Sequence, residues 1–89
     1  MTQEESDRIE VAGEDWLLKN GYERGTWGNF FRNGTFVTFR KRCGWNAVRR
    51  GEGKPIRGRE DWPTPEGALS EIASIARKVD KRGMDAGNA

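Results

Sequence analysis

Ten of the sixteen lysines and arginines fall between residues 24 and 59, where Glu52 is the single acid. These are Arg24, Arg32, Arg40, Lys41, Arg42, Arg49, Arg50, Lys54, Arg57 and Arg59, and Trp27, Phe30, Phe31, Phe36, Phe39 and Trp45 are interleaved with them. Guanidinium and ammonium groups neutralise phosphates and aromatic planes stack on bases, so the mixture suits docking onto nucleic acid or a nucleoprotein complex. The residues expected to meet that partner are Arg40, Arg42, Arg49, Arg50, Lys54, Arg57 and Arg59 at phosphates, with Trp27 and Trp45 stacking or wedging. The same residue types anchor protein partners. The alternative is therefore a small inhibitor or adaptor, of the kind phages and mobile elements carry, that acts by protein–protein binding on a host nucleic-acid-handling complex.

Other chemistries are poorly supplied. The chain has no histidine and one cysteine, Cys43, so zinc and haem sites of the usual composition are excluded and no cofactor is expected. Cys43 adjoins Arg40, Lys41 and Arg42, but with no histidine base in the chain a catalytic thiol is not expected. Gly51-Glu52-Gly53-Lys54 resembles part of a phosphate-binding loop, yet lacks the full spacing, the following Ser or Thr and a helix directly after the lysine. Glu60, Asp61 and Glu66 cluster where a helix begins, which suits capping. With no paired acid and base, nucleophile–base pair or metal cluster to place, the expectation is a binding module and not an enzyme. The lone cysteine points to a reducing, cytoplasmic compartment. The acidic, polar start excludes an ordinary signal peptide, and no apolar run approaches the roughly 18 residues that span a bilayer, so no membrane partner is expected.

Positioning these residues requires a fold, and 89 residues make one domain at most. Apolar and charged residues each stand at 34%, but four Trp, four Phe and one Tyr are too many for a disordered chain. Charge is segregated: residues 1–23 hold two basic side chains against seven acidic, and residues 60–89 hold four against six, around the basic middle. The acidic flanks would repel phosphate, which confines any footprint to the middle block and its loop at 49–59.

Ile9, Ala12 and Trp16 recur at helical spacing, with Leu17 and Leu18 beside them, and predict a helix over 4–19 that Asn20-Gly21 stops. Gly13 weakens its middle by about 1 kcal/mol relative to Ala. The middle block changes period to that of strands at 27–32, 35–42 and 45–50. Asn33-Gly34 is a strong tight-hairpin signal, placing Arg32 opposite Thr35, Phe31 opposite Phe36, Phe30 opposite Val37 and Gly28 opposite Phe39. A second tight turn at Cys43-Gly44 would pair Arg42 with Trp45, Arg40 with Ala47 and Phe39 with Val48. Residues 51–61 read as a glycine-rich connection, in which Ile56 suits a short edge strand. Thr64, Pro65 and Glu66 open a last helix with the apolar stripe Leu69, Ile72, Ala73, Ala76 and Val79. Arg77, Lys78, Lys81 and Arg82 suit its last turns, and Gly83 should end it. The expectation is an α+β domain over 1–83 in the order α-β-β-β-α, a three-stranded antiparallel meander packed on the C-terminal helix, with an acidic N-terminal helix and a flexible tail at 84–89.

Alternation along these strands predicts two unlike faces. Phe30, Val37, Phe39 and Val48 form the core face, with Arg50 and Lys41 toward its margins. Trp27, Phe31, Phe36 and Trp45 form the other, among Arg40, Arg42, Arg49, Asn29 and Thr38. That second face either meets a partner or is covered by Ile9 and Trp16 of the N-terminal helix. An exposed aromatic face or a free sheet edge would also allow a homodimer, so monomer and homodimer both remain open.

Trp45-Asn46-Ala47-Val48-Arg49, followed by Trp62, Thr64, Glu66 and Ala68, loosely resembles the apetala-type DNA-binding domain of plants and the arm-binding domains of some phage integrases. The resemblance covers Gly44 to Ala68, about a quarter of the chain. It implies a three-stranded sheet on a C-terminal helix, with Trp45 and Arg49 facing bases or phosphates. The element order also matches double-stranded-RNA-binding domains, although Thr64-Pro65-Glu66 is acidic where that family needs lysines. A shared fold does not fix a function.

Overall fold

The chain enters its first helix through Thr2, whose Oγ1 accepts a hydrogen bond from the Glu5 backbone N–H at 3.2 Å. Glu4 and Glu5 occupy the first turn of this helix, α1 (Gln3–Lys19), and Lys19 the last, as the helix dipole favours. At the far end Asn20 Nδ2 donates to the Trp16 carbonyl at 2.8 Å and Gly21 takes a φ of +83°, the left-handed stop expected of Asn-Gly. The computed structural model describes the backbone of residues 1–51 and 53–88, and the side chains of 1–51 and 53–78. Glu52 of the Gly51–Lys54 string, and the side chains of Val79, Lys81 and Arg82, lie outside the described residues.

Five strands follow in an antiparallel sheet whose spatial order is their chain order: β1 (Glu23–Arg24), β2 (Asn29–Arg32), β3 (Thr35–Arg40), β4 (Gly44–Arg49) and β5 (Ile56–Arg57). The sheet is wider than the expected three strands, because β1 and β5 add a short strand at each edge. The β2–β3 hairpin has the expected register at three pairs, Arg32 with Thr35, Phe31 with Phe36 and Phe30 with Val37. Asn33 and Gly34 at its tip have φ of 48° and 80°, the positive values that its tight turn requires. Gly28 does not face Phe39: it closes a tight turn, Thr26–Gly28, between β1 and β2, in which Trp27 and Gly28 take φ of 63° and 72°.

The β3–β4 register departs from expectation. Arg40 pairs with Gly44 and Phe39 with Trp45, so β4 is displaced by three residues from a tight turn at Cys43-Gly44. The loop is instead Lys41-Arg42-Cys43, with Arg42 at φ 64° and the Cys43 N–H donating to the Arg40 carbonyl at 2.9 Å. An odd displacement turns every side chain of β4 to the opposite face. Trp45 therefore lies in the core, and Val48 on the other side.

Both helices pack on the same face of the sheet. Leu17 of α1, Phe30, Val37, Trp45 and Ala47 of the sheet, and Ala68 and Ile72 of α2 (Pro65–Asn88) form one buried cluster. The Trp45 ring meets Phe30 edge-on at 6.1 Å and Phe39 at 5.1 Å between centroids. The buried face of α1 is Ser6, Gly13 and Leu17, flanked by half-buried Ile9 and Trp16, while Ala12 is exposed. Helix α2 opens as its sequence predicts, with Thr64 Oγ1 accepting from the Gly67 N–H at 3.2 Å and Pro65 at the first helical position. It runs through Gly83, the expected stop. One glycine lowers helix stability but leaves the hydrogen-bond ladder unbroken.

Candidate functional site

Placing both helices on one face leaves the other uncovered among the described residues. One cross-strand row traverses that open face: Glu23, Phe31, Phe36, Val48 and Arg57 are successive partners from β1 to β5. At the usual strand spacing this row is about 19 Å long. Its centre is apolar. The Phe31 and Phe36 rings lie 6.2 Å apart between centroids at 34°, and Phe31 remains 37% exposed. The Arg50 guanidinium sits 5.1 Å from the Phe36 centroid, a cation–π contact that holds the cation at the border of the patch.

The next row, Asn29, Thr38 and Asn46, is polar and largely self-satisfied. Thr38 Oγ1 donates to Asn29 Oδ1 at 2.6 Å, and Asn46 Nδ2 donates to the Gly58 and Glu60 carbonyls at 3.2 and 3.1 Å. Beyond it Arg40 pairs with Asp61 at 3.2 Å. The face is thus polarised, with an acid at the β1 edge, aromatics between, and cations toward β4 and β5.

A bulge shapes the cationic edge. Continuing the Val48–Arg57 register would bring residue 60 opposite Trp45, but Trp62 stands there, exchanging backbone hydrogen bonds with Trp45 at 2.6 and 2.8 Å. The extra residues are held from the helix side by the Glu71 carboxylate, which accepts from the backbone N–H groups of Arg59 at 3.1 Å and Glu60 at 3.5 Å and from Trp62 Nε1 at 3.1 Å. Gly44 lets this edge close: a Cβ there would lie 2.5 Å from the Trp62 carbonyl oxygen, and its φ is 128°.

The residues singled out from sequence disperse over several surfaces. Arg40, Arg50 and Arg57 border the open face, and Lys54 is exposed in the loop between β4 and β5. Trp27 is 93% exposed at the tip of the β1–β2 connection, in a left-handed conformation with φ 63°. That connection and the β3–β4 loop occupy the same end of the sheet. Arg42 in the β3–β4 loop is turned toward α1: its backbone N–H donates to the buried Ser6 Oγ at 3.0 Å and its Nε to Gln3 Oε1 at 3.4 Å. Arg49 projects to the helix side, where it lines a cleft of about 300 Å³ with Asn33, Thr35, Leu69, Ile72 and Ala73. Arg59 lies with Glu60, Trp62 and Glu71 against α2.

Trp45 is the clear correction. It is completely buried, and its Nε1 donates to the Ile9 carbonyl of α1 at 3.0 Å, so it offers no plane to a partner. The base-facing or phosphate-facing role that the resemblance implies falls for Trp45; Arg49 is exposed, on the helix side of the sheet. Val48 and Arg50, expected on the core face, belong to the open face, and Arg57, expected at phosphates, joins them there on β5. A three-residue loop at 41–43 is the signal that would have placed Val48 correctly, and Ile56 inward on an edge strand sends Arg57 outward. The covering of the aromatic face by α1, left open from sequence, does not occur: Ile9 and Trp16 pack on the Trp45 side.

Among ionisable groups, burial pushes the Tyr22 phenol above its usual 10.0, against the smaller opposing pull of the Arg32 guanidinium. Tyr22 belongs to the helix-side core, so this shift concerns stability. Among the described residues no cluster of three His, Cys, Asp or Glu is placed to hold a metal ion, and no helix is long and apolar enough to cross a membrane. No family model matches this chain, nor does any curated protein or solved structure.

Proposed function

We propose that this chain is a non-enzymatic binding module that docks the open face of its sheet onto nucleic acid, free or within a nucleoprotein complex. The observation that carries this reading is the packing of both helices on one face, which leaves Phe31 exposed and Phe36 and Val48 half-buried on the other, with Arg50 over the Phe36 ring and Arg57 beside Val48. An exposed apolar patch with a cationic border suits an anionic partner that also presents flat apolar surfaces. Lys54 extends the cationic border in the loop beyond Arg50, and Arg40 stands at the opposite end. Trp27 adds a projecting plane at that end. The exposed thiol of Cys43 is in keeping with a reducing, cytoplasmic setting.

Fluorescence-polarisation titration with labelled DNA and RNA, at about 50 and 200 mM salt, tests the reading. Binding that weakens steeply with salt, and weakens further in the Arg50→Ala/Arg57→Ala variant, is expected. Absence of binding at the lower salt would overturn it.

A second reading, a small inhibitor or adaptor that grips a protein of a nucleic-acid-handling complex, draws on the outer face of α1. There Glu4, Asp7 and Asp15 share a surface with Arg8 and Val11, Asp15 being paired with Lys19, and Val11 and the nearby Leu18 are 66% and 48% exposed. Such an acidic and apolar strip suits a basic protein surface, with Trp27 as a further anchor. Under this reading Val11→Asp removes partner capture and leaves nucleic-acid affinity unchanged. Whether the chain works as a monomer or a homodimer is decided by light scattering on the wild type and a Phe31→Lys variant.

A further inference from the structure

Resting on the docking reading above, we infer that the open face takes single-stranded nucleic acid in preference to duplex, with neighbouring bases stacked on Phe31 and on the Arg50 guanidinium that Phe36 supports, and the phosphates along the Arg57 side. The first support is the pair of rings. Phe31 and Phe36 are direct cross-strand partners with centroids 6.2 Å apart, two adjacent planes on one row. Phe36 is half-buried and the Arg50 guanidinium lies over its ring, 5.1 Å from the centroid, so the second plane offered to a base is the guanidinium, which also stacks on bases. Bases of a single strand can turn their faces to such planes. In a duplex those faces are closed within the stack, and only base edges and phosphates remain to be read.

The second support is the one-sided charge. The row begins at Glu23 and ends at Arg57, so one end repels phosphate and the other attracts it. A duplex groove carries a phosphate backbone on each wall, and the major groove is about 12 Å wide. A row of about 19 Å laid across it would bring one backbone toward Glu23. A single strand has one backbone and avoids the acid by lying toward β4 and β5. The polar row of Asn29, Thr38 and Asn46 supplies little further attraction for a second backbone, since its side chains are engaged with one another and with the 58–61 segment.

The test compares short labelled oligonucleotides of mixed sequence, as DNA and as RNA, single-stranded and annealed, against the full chain and four variants. Phe31→Ala removes an exposed ring. Phe36→Leu keeps apolar bulk beneath Arg50 and removes the plane, so a folded protein is retained where Phe36→Ala risks losing it. Glu23→Lys converts the acidic end of the row, and Arg77→Ala on the opposite side of the molecule serves as control. Thermal melts accompany each titration. We expect tighter binding to the single strands, a loss of about tenfold or more for Phe31→Ala and Phe36→Leu with melting little changed, and a duplex affinity that rises in Glu23→Lys. Duplex bound as tightly as single strands, or Phe variants that bind like wild type, would overturn the inference while leaving nucleic-acid docking intact. Binding to neither form would overturn docking itself.

Discussion

The Trp45 indole occupies the hollow that Gly13 leaves in α1. A Cβ built on Gly13 would fall among the ring atoms, closer than any real contact permits, and the indole N–H reaches the Ile9 carbonyl one turn earlier at 3.0 Å. Gly13 is thus the site at which the sheet meets the helix backbone, and its lack of a side chain is what admits the largest buried residue of the core. Gly13→Ala should destabilise by about 1–3 kcal/mol through overpacking, outweighing the gain of up to about 1 kcal/mol in helix propensity. In a domain of this size that lowers the melting temperature by roughly 4–24 °C. Trp45→Phe in the Gly13→Ala background should recover part of the loss, as expected of residues in direct contact. A Gly13→Ala variant that melts higher than wild type would show that the indole is not seated there.

That contact also marks how far the sequence could be read. The termini of α1, the Asn33-Gly34 hairpin and the start of α2 each follow from local chemistry: a capping hydroxyl, a positive-φ turn, a Thr-Pro-Glu opening. Those signals act within a few residues of one another, so they are legible without a fold. The β3–β4 register is different. Lys41-Arg42-Cys43-Gly44 offers both a two-residue and a three-residue loop, and Arg42 is an unusual residue to hold at φ 64°. What favours the observed loop is tertiary: the Arg42 N–H bonds to Ser6 Oγ on α1, and Gly44 fits beneath the Trp62 carbonyl. Phe31, Phe36, Thr38 and Arg40 were placed on the open face correctly because they depend only on the first hairpin. Trp45, Val48 and Arg49 were not, because they depend on the second.

Trp27 separates strain from function. It combines 93% exposure with a left-handed backbone, so it contributes little to the core while bearing a local conformational cost. A left-handed conformation costs an L-residue roughly 1–2 kcal/mol that glycine does not bear. Trp27→Gly should therefore be more stable than Trp27→Ala by about 1 kcal/mol in urea denaturation, although both lack the indole. Both should bind the partner equally weakly. If Trp27→Ala binds like wild type, the indole lies outside the contact surface.

The pH dependence of stability should carry one alkaline feature. Tyr22 is the single tyrosine, and burial raises its phenol above 10.0. An acid whose folded pKa is raised favours the protonated form, so its contribution is complete below pH 10.0 and is lost as pH climbs from there through the folded pKa. Tyrosinate absorbance should rise later in the folded protein than in urea, where the ordinary value returns. Arg32→Gln removes the group that lowers the pKa and should delay the folded transition further, provided a melt shows the fold intact. Coincident folded and unfolded titration curves would contradict the burial of this phenol.

The arginines, finally, divide by face. Arg50 and Arg57 border the open face, whereas Arg49 lines the cleft beside α2 and Arg59 lies with Glu71 on the helix side. Counterion release makes each phosphate contact count as a slope of about 0.7 in log affinity against log salt for a single strand. Arg50→Ala/Arg57→Ala should therefore reduce the magnitude of that slope by roughly 1.4. Arg49→Ala/Arg59→Ala, which removes the same formal charge, should leave it nearly unchanged. The comparison holds net charge constant between the two variants, so it distinguishes a footprint from a general field. Equal losses in the two would mean that the ligand responds to the basic middle block as a whole and that the open face has no special part in holding it.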